Sequence, residues 1–166
     1  MEDIMGNMAK QNDYRSSSVR TVQADAYLSD MNELIARGYE VAITVTGGSM
    51  VPFLVHGRDQ VYFGPIQKPL KHGDVVFYKR TDGKFVMHRI CNIRKGNEYY
   101  LIGDAQKQKE GPIFREQIFA VVLAVKRKGE WIDSSSPVWK FFQHVWVRLV
   151  PFRGIIMKVY SLVQRG

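Results

Sequence analysis

A mainly β fold is what this sequence predicts: a coiled antiparallel sheet or partly closed barrel, with one amphipathic helix before it and amphipathic helices after it. Three observations carry the prediction. From Tyr39 to about Val125 the chain holds six short runs rich in Val, Ile, Phe and Tyr. Glycine and proline punctuate the gaps, at Gly47-Gly48, Gly64-Pro65, Asp82-Gly83, Gly96-Asn97 and Gly111-Pro112. No helical periodicity separates one run from the next, which excludes an alternating α/β layout.

Residues 1–20 are polar, Ser-rich and aperiodic, and are expected to form a disordered tail. Over 21–38 the apolar positions Val22, Ala26, Tyr27, Met31, Leu34 and Ile35 follow helical spacing, and Gly38 suits a C-terminal cap. The β domain is expected over 39–130. Its first run alternates Val41, Ile43 and Val45 with smaller or polar residues; the others lie at 60–63, 74–78, 85–90, 99–102 and 118–126. Asp82-Gly83 between two of them is a hairpin signal. Over 137–166 the composition changes: five basic residues (Lys140, Arg148, Arg153, Lys158, Arg165), no acidic ones, and six large aromatics. Regular helical spacing there would align Lys140, His144 and Arg148 on one face and Val138, Phe142, Val145 and Leu149 on another. Pro151 should break or kink the helix, after which 155–163 repeats the apolar theme.

Composition narrows the function classes. Of the 166 residues 45% are apolar and 24% charged, which excludes wholesale disorder. A net charge of +8 points to an anionic partner. The basic residues of 137–166 are interleaved with large aliphatic and aromatic side chains, a pattern that suits an interfacial helix at a membrane surface. Two readings of 137–166 stay open and can hold together in part, amphipathic helices packed on the β domain and peripheral membrane association; nucleic acid is not expected. No stretch of about 18 apolar residues predicts a membrane span, and the N-terminus lacks the apolar run of a signal peptide. The single cysteine, Cys91, excludes an intramolecular disulfide framework. His56, His72 and His144 lack ligand spacing with any partner, so neither a metal nor a cofactor is expected.

Three segments of the β region could carry chemistry. Gly47-Gly48-Ser49-Met50-Val51-Pro52 ends a strand with a serine on a glycine turn; Val86-Met87-His88-Arg89-Ile90 lies on a strand; Tyr100-Leu101-Ile102-Gly103-Asp104 runs from a strand into a loop. Serine, imidazole and carboxylate on neighbouring strand ends are the ingredients of nucleophilic acyl transfer: the imidazole takes the serine proton and the carboxylate orients the imidazole. Arg58, Asp59 and Arg89 read as structural, and Asp59 and Asp74 as turn residues.

In order and approximate spacing, GGSMVPFLVHGRDQVYF, LKHGDVVFYKRTDGKFVMHRI, YYLIGDAQ and REQIFAVVLAV resemble the type I signal peptidases and their S24/S26 serine-protease relatives, over about Thr44 to Val125. The resemblance implies the catalytic-core fold that signal peptidases share with LexA-type proteins. It also implies a serine endopeptidase cleaving signal or leader peptides. Bacterial-type members carry a lysine base just before the Arg that Arg89 matches, and archaeal and endoplasmic-reticulum types carry a histidine. His88 places this chain with the histidine branch. By resemblance Ser49 is the nucleophile, His88 the base, Asp104 the orienting carboxylate with Glu110 second, and the Ser49 backbone N–H the oxyanion donor. The family's membrane-spanning anchor and the large inserted domain of its periplasmic-type member have no counterpart here, so a minimal, specialised or accessory peptidase is expected. Two alternatives accompany this reading. A LexA-like self-cleaving regulator would use a Ser-Lys dyad and a DNA-binding domain, for which about 40 preceding residues are few. A catalytically weak or inactive binding module is the other.

Overall fold

The computed structural model describes residues 24–163, and side chains within 30–162. The tail expected at 1–20 lies outside the described residues. Helix α1 (Ala24–Ala36) is followed by eight strands: β1 (Val41–Thr44), β2 (Gln60–Gly64), β3 (Val75–Lys79), β4 (Phe85–Arg94), β5 (Glu98–Ile102), β6 (Glu110–Phe114), β7 (Ile118–Arg127) and β8 (Glu130–Asp133). They form one antiparallel sheet in the order β1-β2-β7-β3-β4-β5-β6, with β8 also on β7. The sheet is not closed; β1 and β6 are its end strands. Along one edge of β7 two partners follow each other, β3 opposite Val121 and β8 opposite Ala124. Register shifts interrupt the β2–β7, β3–β7, β4–β5 and β5–β6 ladders, and such irregularities raise local twist and bend the strand.

Alternation along β3 explains why the sheet is covered on both faces. Val75 and Phe77 join a core with Met31 and Ile35 of α1, Met50, Phe53, Phe63, Val122 and the aromatics Trp139, Phe142 and Trp146. Val76 and Tyr78 point the other way, into a core with Leu70, Ile90, Tyr99, Leu101, Ile113 and Ile118. Gly38 caps α1 in the left-handed region (φ +90°), and the Tyr39 N–H bonds back to the Leu34 carbonyl at 3.0 Å.

Two strands exceed the six the sequence announces. β6 contains Gly111-Pro112, which reads as a turn, but an end strand needs no ladder hydrogen bond from proline. β8 is four residues long and follows a tight turn in which Lys128 and Gly129 both have positive φ.

The C-terminal segment departs from uniform helical spacing. Helix α2 (Pro137–Lys140) runs into a π turn (Phe141–Val145), then 3₁₀ turns at Trp146–Arg148 and Val150–Phe152, then helix α3 (Arg153–Val163). The π turn adds a residue to the helical repeat and rotates the side chains beyond it. The buried set is therefore Trp139, Phe142, Trp146 and Val147, whereas Val138 and Val145 of the expected apolar face are exposed. No helix among the described residues is long and apolar enough to cross a membrane.

Candidate active site

The Ser49 turn is fixed from below by hydrophobic anchors. Met50, Phe53 and Leu54 are buried, the Leu54 N–H bonds the Met50 carbonyl at 2.9 Å, and Arg127 donates to the carbonyls of Phe53 (2.9 Å) and Pro52 (3.3 Å). Gly47 takes φ +78°, a conformation that favours glycine, and its N–H donates to His56 Nδ1 at 3.1 Å. Ser49 itself is half-buried. Its carbonyl accepts the Ala105 N–H at 2.8 Å, and a Cβ on Gly103 would come within 2.5 Å of that same oxygen. The glycine of the Gly-Asp pair thus allows the loop after β5 to lie directly against the Ser49 turn. Among the described residues, neither the Ser49 hydroxyl nor its N–H makes a hydrogen bond, and none joins Ser49 to His88.

His88 and Arg89 are neighbours on β4, with Cα partners Val76 on β3 and Ile102 on β5 respectively. Strand alternation sends their side chains to opposite faces. Arg89 enters the core that holds Phe53 and Phe142, with its guanidinium 4.9 Å from the Phe53 ring centre. There it grips both Asp104 oxygens at 2.9 and 2.7 Å and the Gly73 carbonyl at 2.9 Å, with both side chains fully buried. Asp104 is thereby committed to Arg89.

On the other face His88, 2% exposed, has its Nδ1 3.1 Å from the Tyr78 hydroxyl. That hydroxyl donates to Glu110 Oε2 at 2.7 Å, and Arg80 forks onto both Glu110 oxygens at 2.5 Å. Glu110 Oε2 lies 3.9 Å from His88 Nδ1. Burial pulls the imidazole down to about 4, overcoming the attraction of Glu110 and assisted by Arg80, so it is neutral at neutral pH. Burial alone would raise Glu110, but hydrogen bonds from Arg80 and Tyr78 hold its carboxyl below the ordinary range. Burial and the Glu110 carboxylate push the Tyr78 phenol above its usual value.

The C-terminal segment reaches this region through its own polar groups. Trp146 Nε1 donates to the Asp104 carbonyl at 2.9 Å, and Arg153 donates to the carbonyls of Gly103 (2.9 Å), Gln106 (2.8 Å) and Trp146 (3.2 Å). Arg153 is fully buried, and its Nε is the one buried side-chain polar atom left without a partner among the described residues. Arg58 and Asp59 pair at 2.8 Å, and Asp59 also accepts the N–H groups of Val55 and Lys128, closing the loop between β1 and β2.

Sequence reasoning missed Tyr78, Arg80, Trp146 and Arg153. The hairpin at Asp82-Gly83 contains a signal for the first: its register sets Tyr78 opposite Val86, two residues from His88 on the same face. Among the described residues no three His, Cys, Asp or Glu side chains gather as a metal ion requires. The chain matches no family model, no curated protein and no solved structure.

Proposed function

We propose that the protein is a serine endopeptidase of the signal peptidase type, histidine branch, acting on signal or leader peptides. Ser49 Oγ attacks the scissile carbonyl carbon while its proton passes to His88 Nε2. The resulting oxyanion faces the Ser49 N–H. Collapse of the tetrahedral adduct breaks the C–N bond, and His88 returns the proton to the departing amine. Water then hydrolyses the acyl-serine ester, with His88 again accepting and returning one proton. Of the two carboxylates, Glu110 stands behind the base in this scheme, and Asp104 serves the loop through Arg89. The sequence ranks them in the reverse order; proximity to the imidazole favours Glu110.

The observation that carries the reading is His88: a buried, neutral imidazole tied at Nδ1, on a strand whose neighbour feeds the loop pressed against Ser49. A Ser49–His88 contact would close on substrate binding, as catalytic hydrogen bonds often do. The test is cleavage of leader-type peptides by wild type, Ser49→Ala and His88→Ala in a membrane mimetic. The expected result is a loss of at least about 10³-fold in kcat for each variant. Cleavage equal in all three, or absent from all three, refutes the enzyme. The Ser49 hydroxyl, without a hydrogen bond among the described residues, favours a second reading, a non-catalytic peptide-binding module, and wild-type turnover removes it.

The proposal extends to peripheral membrane association. Phe152, Ile155, Val159 and Leu162 form a 3-4-3 stripe, each more than half exposed, on and beside α3. Because Trp139, Phe142 and Trp146 are core residues, deleting 137–166 would disturb the fold. The appropriate variant is Ile155→Ser with Val159→Ser in the full chain. Reduced sedimentation with anionic liposomes is expected, and unchanged sedimentation refutes the association.

A further inference from the structure

We infer that Tyr78 is a positioning residue, bridging His88 to Glu110 and fixing the imidazole in the tautomer that leaves Nε2 free to accept a proton. The catalytic consequence rests on the peptidase reading above; the tautomer does not. The argument is one of counting donors. Glu110, held ionised by the Arg80 fork, can only accept. Tyr78 has one hydroxyl proton, and its 2.7 Å contact with Glu110 Oε2 uses it. Towards His88, 3.1 Å away, Tyr78 therefore offers a lone pair, which requires a proton on Nδ1. A neutral imidazole carries one N–H, so Nε2 is bare. The 3.9 Å separation of Glu110 from Nδ1 is too long for a direct hydrogen bond, so the tyrosine oxygen supplies the link.

When Nε2 takes the serine proton, Nδ1 keeps its own. The positive charge on the imidazolium then faces an oriented hydroxyl dipole with a carboxylate behind it. No proton crosses Tyr78. The groups facing His88 are Tyr78 from β3, Arg80 just beyond it and Glu110 from β6. Arg80 opposes the imidazolium and Glu110 favours it. Tyr78 is fully buried in an apolar core, which fits a polar group retained for its bond.

The experiment uses the full chain, ¹⁵N-labelled at histidine, with His88→Gln to assign the His88 signals. At pH 7 the wild type is expected to show a protonated Nδ1 and an unprotonated Nε2. Tyr78→Phe is expected to abolish that preference and lower kcat about 10- to 100-fold with little change in KM, the loss of one hydrogen bond to a charged group. A wild-type His88 protonated at Nε2 overturns the inference without any variant, should Tyr78→Phe fail to fold. So does Tyr78→Phe with tautomer and kcat unchanged, whatever the wild type cleaves. If the wild type cleaves nothing yet shows the Nδ1–H tautomer and loses it in Tyr78→Phe, the bridge stands and the peptidase reading falls.

Discussion

Replacing Asp104 with alanine should unfold the protein far more readily while leaving the imidazole network untouched. In the native chain the carboxylate accepts two hydrogen bonds from Arg89, at 2.9 and 2.7 Å, with both partners fully buried. It also supports Arg153, whose charge burial disfavours and Asp104 favours. Its removal takes from two buried guanidinium groups the carboxylate charge that Asp104 supplies. Arg89 keeps the Gly73 carbonyl and the Phe53 and Phe142 rings. Breaking a buried pair on one side typically costs about 3–5 kcal/mol. For a chain of this length that corresponds to a fall in Tm of roughly 6–20 °C. Urea and thermal denaturation measure it directly. A cycle with Arg89→Met, Asp104→Leu and the double variant separates pairing from packing: the double variant should be far less destabilised than the sum of the singles. Glu110→Gln is the contrasting case, with kcat reduced about 10-fold or more and Tm nearly unchanged, because Glu110 is partly exposed. If Asp104→Ala keeps its Tm yet loses activity, while Glu110→Gln cleaves normally, Asp104 is the orienting acid and the division of labour argued above is wrong.

Further outcomes rest on the same geometry. The His88 pKa is depressed to about 4 from an ordinary 6.5, so the unfolded chain binds the proton first as pH falls. The stability attached to the neutral ring is complete above pH 6.5 and is lost on acidification towards pH 4, up to about 3 kcal/mol. Urea midpoints across that range should show the slope in wild type and a weaker one in His88→Gln. The acid limb of kcat/KM should lie near pH 4; a limb near 6.5 contradicts the burial argument. Gly103→Ala drives a methyl group to 2.5 Å from the Ser49 carbonyl and should cost about 1–3 kcal/mol, with a larger relative loss of peptide cleavage than of fold, read by denaturation and kinetics together. Trp146→Phe retains an aromatic ring but deletes the donor to the Asp104 carbonyl; a loss of about 1 kcal/mol is expected, and an unchanged urea midpoint counts against a role for that bond in holding the loop.

Much of the sheet was legible because its strands announce themselves by alternation and by turn chemistry. Val41, Ile43 and Val45, the 118–126 run and the Asp82-Gly83 hairpin all lie where local rules put them. β6 was hidden because Gly111-Pro112 obeys a local turn rule, and only its place at the sheet edge makes proline acceptable there. The C-terminal faces were misjudged for a different reason. A π turn is a tertiary compromise that seats Trp139 and Phe142 against Phe53 and Trp146 against Phe142, and no regular period encodes it. At the site, Ser49, His88, Asp104 and Glu110 are visible as residue types in order. Which carboxylate sits nearer the imidazole is decided by strand pleat, since His88 and Arg89 face opposite sides of β4. That information resides in register, which a list of motifs does not carry.

The grip of Trp146 and Arg153 on the 103–106 carbonyls has a temporal side. Ser49, His88, Asp104 and Glu110 have all been synthesised once Glu110 is in place, yet the loop against Ser49 gains these fastenings only after Arg153 has been added. A nascent or prematurely terminated product that stops between the two carries all four side chains without these fastenings. On the proposed reading, the site is completed only when the ribosome has moved more than forty residues past Glu110.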